Sequence, residues 1–265
     1  MDLELRDRVA IVTGGSRGIG KAVARELAME GVDLALVARG REALEEAAAE
    51  LRRESGRRVI AVPADTTRDD SVRAMVQQVV AAFGRVDILV NCAAQPGGQS
   101  APPKLGEITD DLFWTDVNTK VMGYLRCARE VAPQMAAQGW GRIVSISGLA
   151  TRGTGSTIGS MRNAAVVAMS KNLADELGPS GINVTVVHPG TTRTEKTAAV
   201  LAEQARRLGI TAEEAERRMA SRNSLRRIID AREIAYVVAF LASPRSVAIT
   251  GDVIAAGGGG QGIFY

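Results

Sequence analysis

Apolar runs of strand length alternate along the chain with stretches whose apolar residues recur every three or four positions. That is the pattern of a parallel sheet covered by helices on both faces. The runs predict strands at Arg8–Val12, Asp33–Val37, Val59–Pro63, Val86–Asn91, Arg142–Ile146, Asn183–Val187 and Asp252–Ala256. The periodic stretches predict helices at Gly18–Glu30, Arg41–Ser55, Asp69–Phe83, Asp110–Gln138, Ser160–Leu177 and Ala231–Ala242. Gly31, Gly56, Gly84, Gly139 and Gly178 each follow a helical run, where a positive φ closes the last turn, and Ser160 is placed to cap the helix that carries Lys171. The implied fold class is α/β: a single doubly wound Rossmann-type domain over residues 1–265, with a seven-stranded parallel sheet and helices on both faces. One segment breaks the rhythm. Thr191–Asp230 has no strand signal and reads as a connecting arm with a helix at about Ala198–Arg218. It follows a strand at the carboxyl edge of the sheet, where open α/β folds place ligands, so residues 191–230 are expected to form a substrate-side helical flap. The Gly257–Gly260 run reads as a turn or hinge.

Composition narrows the class. At 265 residues, 46% hydrophobic and 24% charged, the chain can bury one large core without disulfide or metal staples. No apolar run reaches the roughly 18–20 residues of a membrane helix, and the opening Met1-Asp-Leu-Glu-Leu-Arg-Asp-Arg has no apolar leader, so a soluble cytoplasmic protein without membrane association is expected. Cys92 and Cys127 lack C-x-x-C spacing and read as reduced core thiols; no metal site is expected. The net charge of +3 is mild and the arginines are dispersed, so no nucleic-acid partner is expected and anionic cofactors are a sufficient reason for the charge.

The first candidate chemistry follows the first strand. Gly14-x-x-x-Gly18-x-Gly20 opens into a helix, so backbone amides and a helix N-terminus can meet a pyrophosphate unobstructed; Gly14, Ser16, Arg17, Gly18, Ile19 and Gly20 are the candidate cradle. At the end of the second strand, where NAD enzymes usually carry an acidic residue for the ribose diol, the chain has Ala38-Arg39. Arg39, with Arg17 in the loop, suits a 2′-phosphate, so NADP(H) is expected in preference to NAD(H).

With these residues, the chain resembles the short-chain dehydrogenase/reductase (SDR) family over nearly its whole length. Thr13–Gly20 is similar to the family's T-G-x-x-x-G-x-G, Asn91-Cys92-Ala93-Ala94 to its N-N-A-G, and Ile249-Thr250-Gly251 to its last strand. The resemblance implies that Asp65 lies by the adenine, that Asn91 and Ala93 belong to the cofactor site, and that Pro189, Gly190 and Thr194 hold the nicotinamide carboxamide. It implies Asn118 as the active-site asparagine and Lys171 as the lysine that binds the nicotinamide ribose, with Ser147 completing the catalytic set.

Counting back four residues from Lys171, the family's tyrosine position holds Val167. Gly148 stands where the serine is expected, with Ser147 one residue early, and the loop Leu149–Gly159 counts about six residues longer than usual in this register. Valine neither gives nor takes a proton, and the loss of general acid catalysis forfeits roughly 10²–10⁴-fold in rate. No substitute acid stands out. Tyr124, six residues beyond Asn118, falls about 240° around a regular helix from it and reads as a packing residue. His188 reads as a hydrogen-bonded structural residue, the hydroxyls of Thr151, Thr154, Ser156 and Thr157 as loop formers, and Arg152 and Arg162 as solvated or anion-binding cations. Three functions fit: an NADP(H)-dependent oxidoreductase acting on a small carbonyl or enoyl-type substrate with a non-standard proton donor; a catalytically silent NADP(H)-binding regulatory protein; and a non-redox isomerase or hydratase. By the resemblance, the partners expected are a small-molecule substrate and further copies of the chain, as a homotetramer or homodimer built on the long helices Asp110–Gln138 and Ser160–Leu177.

Overall fold

In a computed structural model of the chain, which describes residues 1–95 and 101–261, the β1 strand Val9–Thr13 is buried throughout, and its alternate residues face opposite cores. Ala10 and Val12 pack with the helix layer on one side of the sheet, Val9 and Ile11 with the layer on the other. This two-sided burial is why the run is continuously apolar. The same holds for β2 (Asp33–Ala38), β4 (Ile88–Asn91), β5 (Gly141–Ile146) and β6 (Ile182–Pro189). With β3 (Val59–Pro63) and, past two short strands, β9 (Val253–Ala256), they form a parallel sheet of seven strands in the order β3-β2-β1-β4-β5-β6-β9. The order reverses between β1 and β4, and ligand crevices of doubly wound sheets lie at that switch point.

Helices α1 (Gly18–Met29), α2 (Arg41–Ser55) and α9 (Ala231–Leu241) cover one face. On α2 the buried residues Leu44, Ala47, Ala48 and Leu51 show the spacing of a single apolar stripe. Helix α3 (Asp69–Phe83), α5 (Gly123–Ala137) and the C-terminal part of α6 (Thr157–Leu177) cover the other. The cap of α6 is Ser156, whose Oγ accepts from Gly159 N at 3.1 Å, rather than the expected Ser160. Gly178 stays right-handed and the turn closes three residues later, at Gly181, with φ +77°.

Two departures from the predicted pattern bear on the site. The single helix expected over Asp110–Gln138 is α4 (Asp110–Val117) and α5 joined by a π turn at Asn118–Met122, where Gly123 N donates to the carbonyl five residues back, at Asn118. The flap, expected without strands, contains β7 (Thr192–Arg193) paired with β8 (Ile229–Asp230), enclosing α7 (Thr197–Leu208) and α8 (Ala212–Ala220). Gly209, at φ +63°, ends α7, and Thr211 caps α8 through Glu214 N, so one predicted helix is two. The Gly257–Gly260 run lies under this flap: Ser224 N and Leu225 N donate to the carbonyls of Gly259 and Gly258 at 2.7 and 3.2 Å.

Candidate active site

A cavity of about 950 Å³ runs along the carboxyl edge of the sheet beneath the flap. At one end the loop after β1 turns into α1. Gly14 takes φ +67° there, and a Cβ on Gly20 would collide with the Gly14 carbonyl oxygen, so the loop needs glycine at both positions. Gly14, Ser16, Arg17, Gly18, Ile19 and Gly20 all line the cavity. The first amide of α1 is already met by an anion of the chain itself: Gly18 N donates to both carboxylate oxygens of Glu195, at 3.0 and 3.2 Å. A helix N-terminus attracts negative charge, and Glu195 marks the seat a pyrophosphate would take.

Beyond β2, Arg39 lines the cavity; like Arg17 it is exposed, and among the described residues neither side chain forms an ion pair or hydrogen bond. Asp65 faces Arg39. Burial alone would raise its carboxyl, but hydrogen bonds from the Thr67 amide and hydroxyl, at 2.9 and 2.8 Å, with Arg39 and Arg68 nearby, hold it below the ordinary carboxylate range. Ala93, Pro189, Gly190 and Thr194 line the middle of the cavity. Gly190 backs onto Gly257, whose Cα would lie 2.8 Å from any added Cβ. Asn91 does not line it. Its side chain is fully buried at the end of β4, and neither amide atom finds a partner among the described residues.

The catalytic end differs from the sequence-based expectation. Lys171 lies on the outer face of α6; its side chain is 57% exposed and its Nζ pairs with Asp175 at 2.7 Å, outside the cavity. The face of α6 turned to the sheet carries Ile158, Gly159, Asn163, Val166, Ser170 and Ala174. The residue of α6 that reaches the end of β5 is Asn163: Ser147 Oγ donates to its backbone carbonyl at 3.2 Å, and a Cβ on Gly148 would stand 3.0 Å from its Nδ2. The structure therefore brings Asn163, eight residues before Lys171, to the end of β5, and places neither Lys171 nor Val167 in the cavity wall. A serine at 148 would crowd Asn163, which is consistent with glycine there.

Asn118 also falls outside the cavity wall, and the π turn is the reason. Widening the helix at Asn118–Met122 changes its phase, so Thr119 and Lys120 face the cavity instead, followed one turn on by Tyr124. Lys120 is 4% exposed. Its Nζ donates to the Ser147 carbonyl and to Asn163 Oδ1, both at 3.0 Å. Burial, and then the neighbouring Arg162, push its ammonium down to about 7, against the pull of Asp116 and Cys92. Sequence reasoning missed Lys120; the one available signal was a lysine followed by the apolar Val121 and Met122, two residues beyond the expected asparagine.

The surrounding groups are fixed. Tyr124 donates its hydroxyl proton to the Ile146 carbonyl at 3.0 Å, and burial drives its pKa well up. Desolvation likewise pushes the Cys92 thiol up to about 12. His188 accepts from Gly148 N at 3.1 Å; burial, Arg152 and Lys120 push it down to about 4, leaving it neutral. Arg162 pairs with Asp116. Thr151 donates to the Gly148 carbonyl at 2.9 Å, and Ser156 is spent on the helix cap.

Among the described residues no helix is long and apolar enough to cross a membrane, and no cluster of His, Cys, Asp or Glu could hold a metal ion. A family model described as Enoyl-(Acyl carrier protein) reductase matches residues 14–261. The chain is 34% identical over 255 residues, 96% of its length and 94% of the relative's, to the short-chain reductase protein NovJ of Streptomyces niveus. It is 32% identical over 271 residues, covering 96% and 98%, to the 3-oxoacyl-(acyl-carrier-protein) reductase FabG of Staphylococcus epidermidis. In structure it is similar to L-sorbose reductase from Gluconobacter frateurii complexed with NADPH and L-sorbose, with a TM-score of 0.93, 30% identity and full coverage of both chains.

Proposed function

The chain belongs to the short-chain dehydrogenase/reductase family of oxidoreductases, and from that premise we propose that it reduces a small carbonyl or enoyl-type substrate with NADPH as reductant. The observation that carries the reading is the continuity of one cavity from the glycine loop to Lys120 and Ser147, with Arg17 and Arg39 at its far end. When bound, the dihydronicotinamide supplies hydride.

The remaining work falls to the chain. Amides of Gly14, Ser16, Gly18, Ile19 and Gly20 receive the pyrophosphate once Glu195 withdraws, and Arg17 with Arg39 grips the 2′-phosphate. Asp65 positions the adenine end, and Ala93, Pro189, Gly190 and Thr194 orient the nicotinamide end. Asn91 braces the wall behind Cys92. Ser147 and Asn163 hold Lys120 at the wall where the substrate oxygen would lie, while the flap excludes water. Lys171 and Asn118, outside the cavity, take no part in the chemistry.

Thermal stabilisation by NADPH exceeding that by NADH, followed by loss of nicotinamide absorbance across a panel of small ketones, hydroxyketones and enoyl thioesters, is the expected result. Equal or greater stabilisation by NADH overturns the cofactor preference. The absence of any tyrosine from α6 favours a second reading, a nucleotide-binding protein without turnover, which predicts stabilisation and no absorbance change with any substrate. Leu112, Trp114, Met122 and Met161 are exposed on or beside α4 to α6; in this reading a second copy of the chain covers them in a homodimer or homotetramer, which light scattering would measure as a multiple of 27.9 kDa.

A further inference from the structure

The cavity contains one dissociable group whose environment suits proton transfer. Lys120 is 4% exposed, lies in the cavity wall and has, among the described residues, no carboxylate within hydrogen-bond distance, Asp116 being paired to Arg162. A buried cation without a paired anion is costly, and a merely structural position would be filled more cheaply by an apolar side chain of similar length. An ammonium has three N–H donors. Two are taken by the Ser147 carbonyl and Asn163 Oδ1, which leaves one for the cavity.

The alternatives within reach are committed elsewhere. Tyr124 has its proton in a bond to the Ile146 carbonyl, Cys92 is held protonated by desolvation, and His188 is neutral with Nδ1 already accepting. The Ser147 hydroxyl donates to the Asn163 carbonyl. The charged groups facing Lys120 are Arg162 on α6, which discourages its charged form, and Asp116 on α4, which favours it.

We propose that Lys120 is the general acid of this enzyme, held by Ser147 and Asn163 so that its remaining N–H reaches the substrate oxygen. The proposal rests on the reductase reading above. As the carbonyl carbon accepts hydride from the dihydronicotinamide, the C=O π pair moves to oxygen, one N–H bond of Lys120 breaks and its proton forms the alcohol O–H. The dihydronicotinamide is oxidised, the carbonyl is reduced, and the neutral amine regains its proton from solvent. For an enoyl substrate the same proton goes to the carbonyl oxygen of the enolate formed by hydride addition at the β-carbon. An ammonium near neutrality matches the requirement that a general acid titrate close to the working pH.

The test begins on the free protein, with the Cε resonance of Lys120 in isotope-labelled protein followed against pH and assigned by its disappearance in Lys120→Met. A midpoint near 7 is expected; a midpoint at the ordinary lysine value of 10.5 overturns the proposal. Turnover by Lys120→Met should fall roughly 10²–10⁴-fold while NADPH binding holds within about twofold. Lys120→Arg, whose charge does not dissociate, should be as slow and should lose the decline in rate above pH 7 that the wild type shows. Lys120→Gln replaces the Met variant if that protein fails to fold. Wild-type turnover that survives Lys120→Met within about threefold, too little for loss of a general acid, overturns the role of Lys120 and leaves the reductase reading intact. Absence of turnover in the NADPH-bound wild type removes both. A borohydride-trapped substrate adduct on Lys120 would show an amine nucleophile instead and would also overturn it.

Discussion

The two ends of the cavity are built on different principles. In the proposed reading, recognition at the nucleotide end rests on the backbone: the Gly14–Gly20 turn, the first amide of α1, and a glycine whose missing Cβ lets the helix meet the loop. At the catalytic end it rests on side chains from three separate elements, Lys120 in the π turn, Ser147 after β5 and Asn163 on α6, which converge through two hydrogen bonds of 3.0 Å. The first kind of site depends on spacing along one short segment. The second depends on the rotational phase of two helices, and a change of one residue moves its parts out of register.

The contrast can be broken most severely at the nucleotide end. Gly20→Val drives a branched side chain into the Gly14 carbonyl, and overpacking of this kind costs about 1–3 kcal/mol or more. NADPH affinity measured by calorimetry should drop on the order of 100-fold, while Lys120 still titrates as in the wild type. Arg17→Ala with Arg39→Ala removes charge-assisted hydrogen bonds of about 1.5–3 kcal/mol, so the NADPH dissociation constant should rise roughly ten- to a hundredfold with that of NADH almost unchanged. Equal losses for both nucleotides would show that these arginines bind the common phosphates.

Smaller effects sharpen the catalytic end. The folded Lys120 titrates at about 7 against an ordinary 10.5, so between those values the unfolded chain holds the extra proton. Stability should therefore rise with pH across that window, by at most about 1.4 kcal/mol per pH unit, with the burial penalty fully present below pH 7. Lys120→Met should abolish this contribution in wild-type-minus-variant denaturation curves. Smallest of all, Lys171→Ala removes an exposed i,i+4 pair with Asp175, and both kcat and the thermal midpoint should stay close to wild type. A hundredfold loss there would restore the register that places Lys171 in the site.

The same contrast explains what the chain discloses before it folds. Helices α2 and α3 and strand β3 have the predicted limits, because glycine or proline punctuation and a single buried stripe or two-sided burial fix them locally. That the Gly14–Gly20 loop and Arg39 line one cavity is legible for a similar reason, since each is defined by its distance from one strand. Helix α6 was not. Its buried face includes the polar residues Asn163 and Ser170, so hydropathy does not distinguish the face toward the sheet from the one bearing Lys171. The π turn leaves no hydropathic mark, because Asp110–Gln138 is periodic on either side of it. The two-residue strands of the flap are too short to show an alternation at all.

The wide turn at Asn118–Met122 also sets how far apart, in genetic steps, two versions of this site lie. A substitution alters what a side chain is; one codon gained or lost inside a helix alters where every later side chain faces, by about 100°. Ordinarily that would turn the core stripe of α5 to solvent. Here the surplus residue is absorbed within five positions, and Cys127, Ala128, Val131 and Met135 stay buried beyond it. The turn thus decouples the wall of the cavity from the helix that supports it: Thr119 and Lys120 face the site while the buried stripe of α5 follows its own phase.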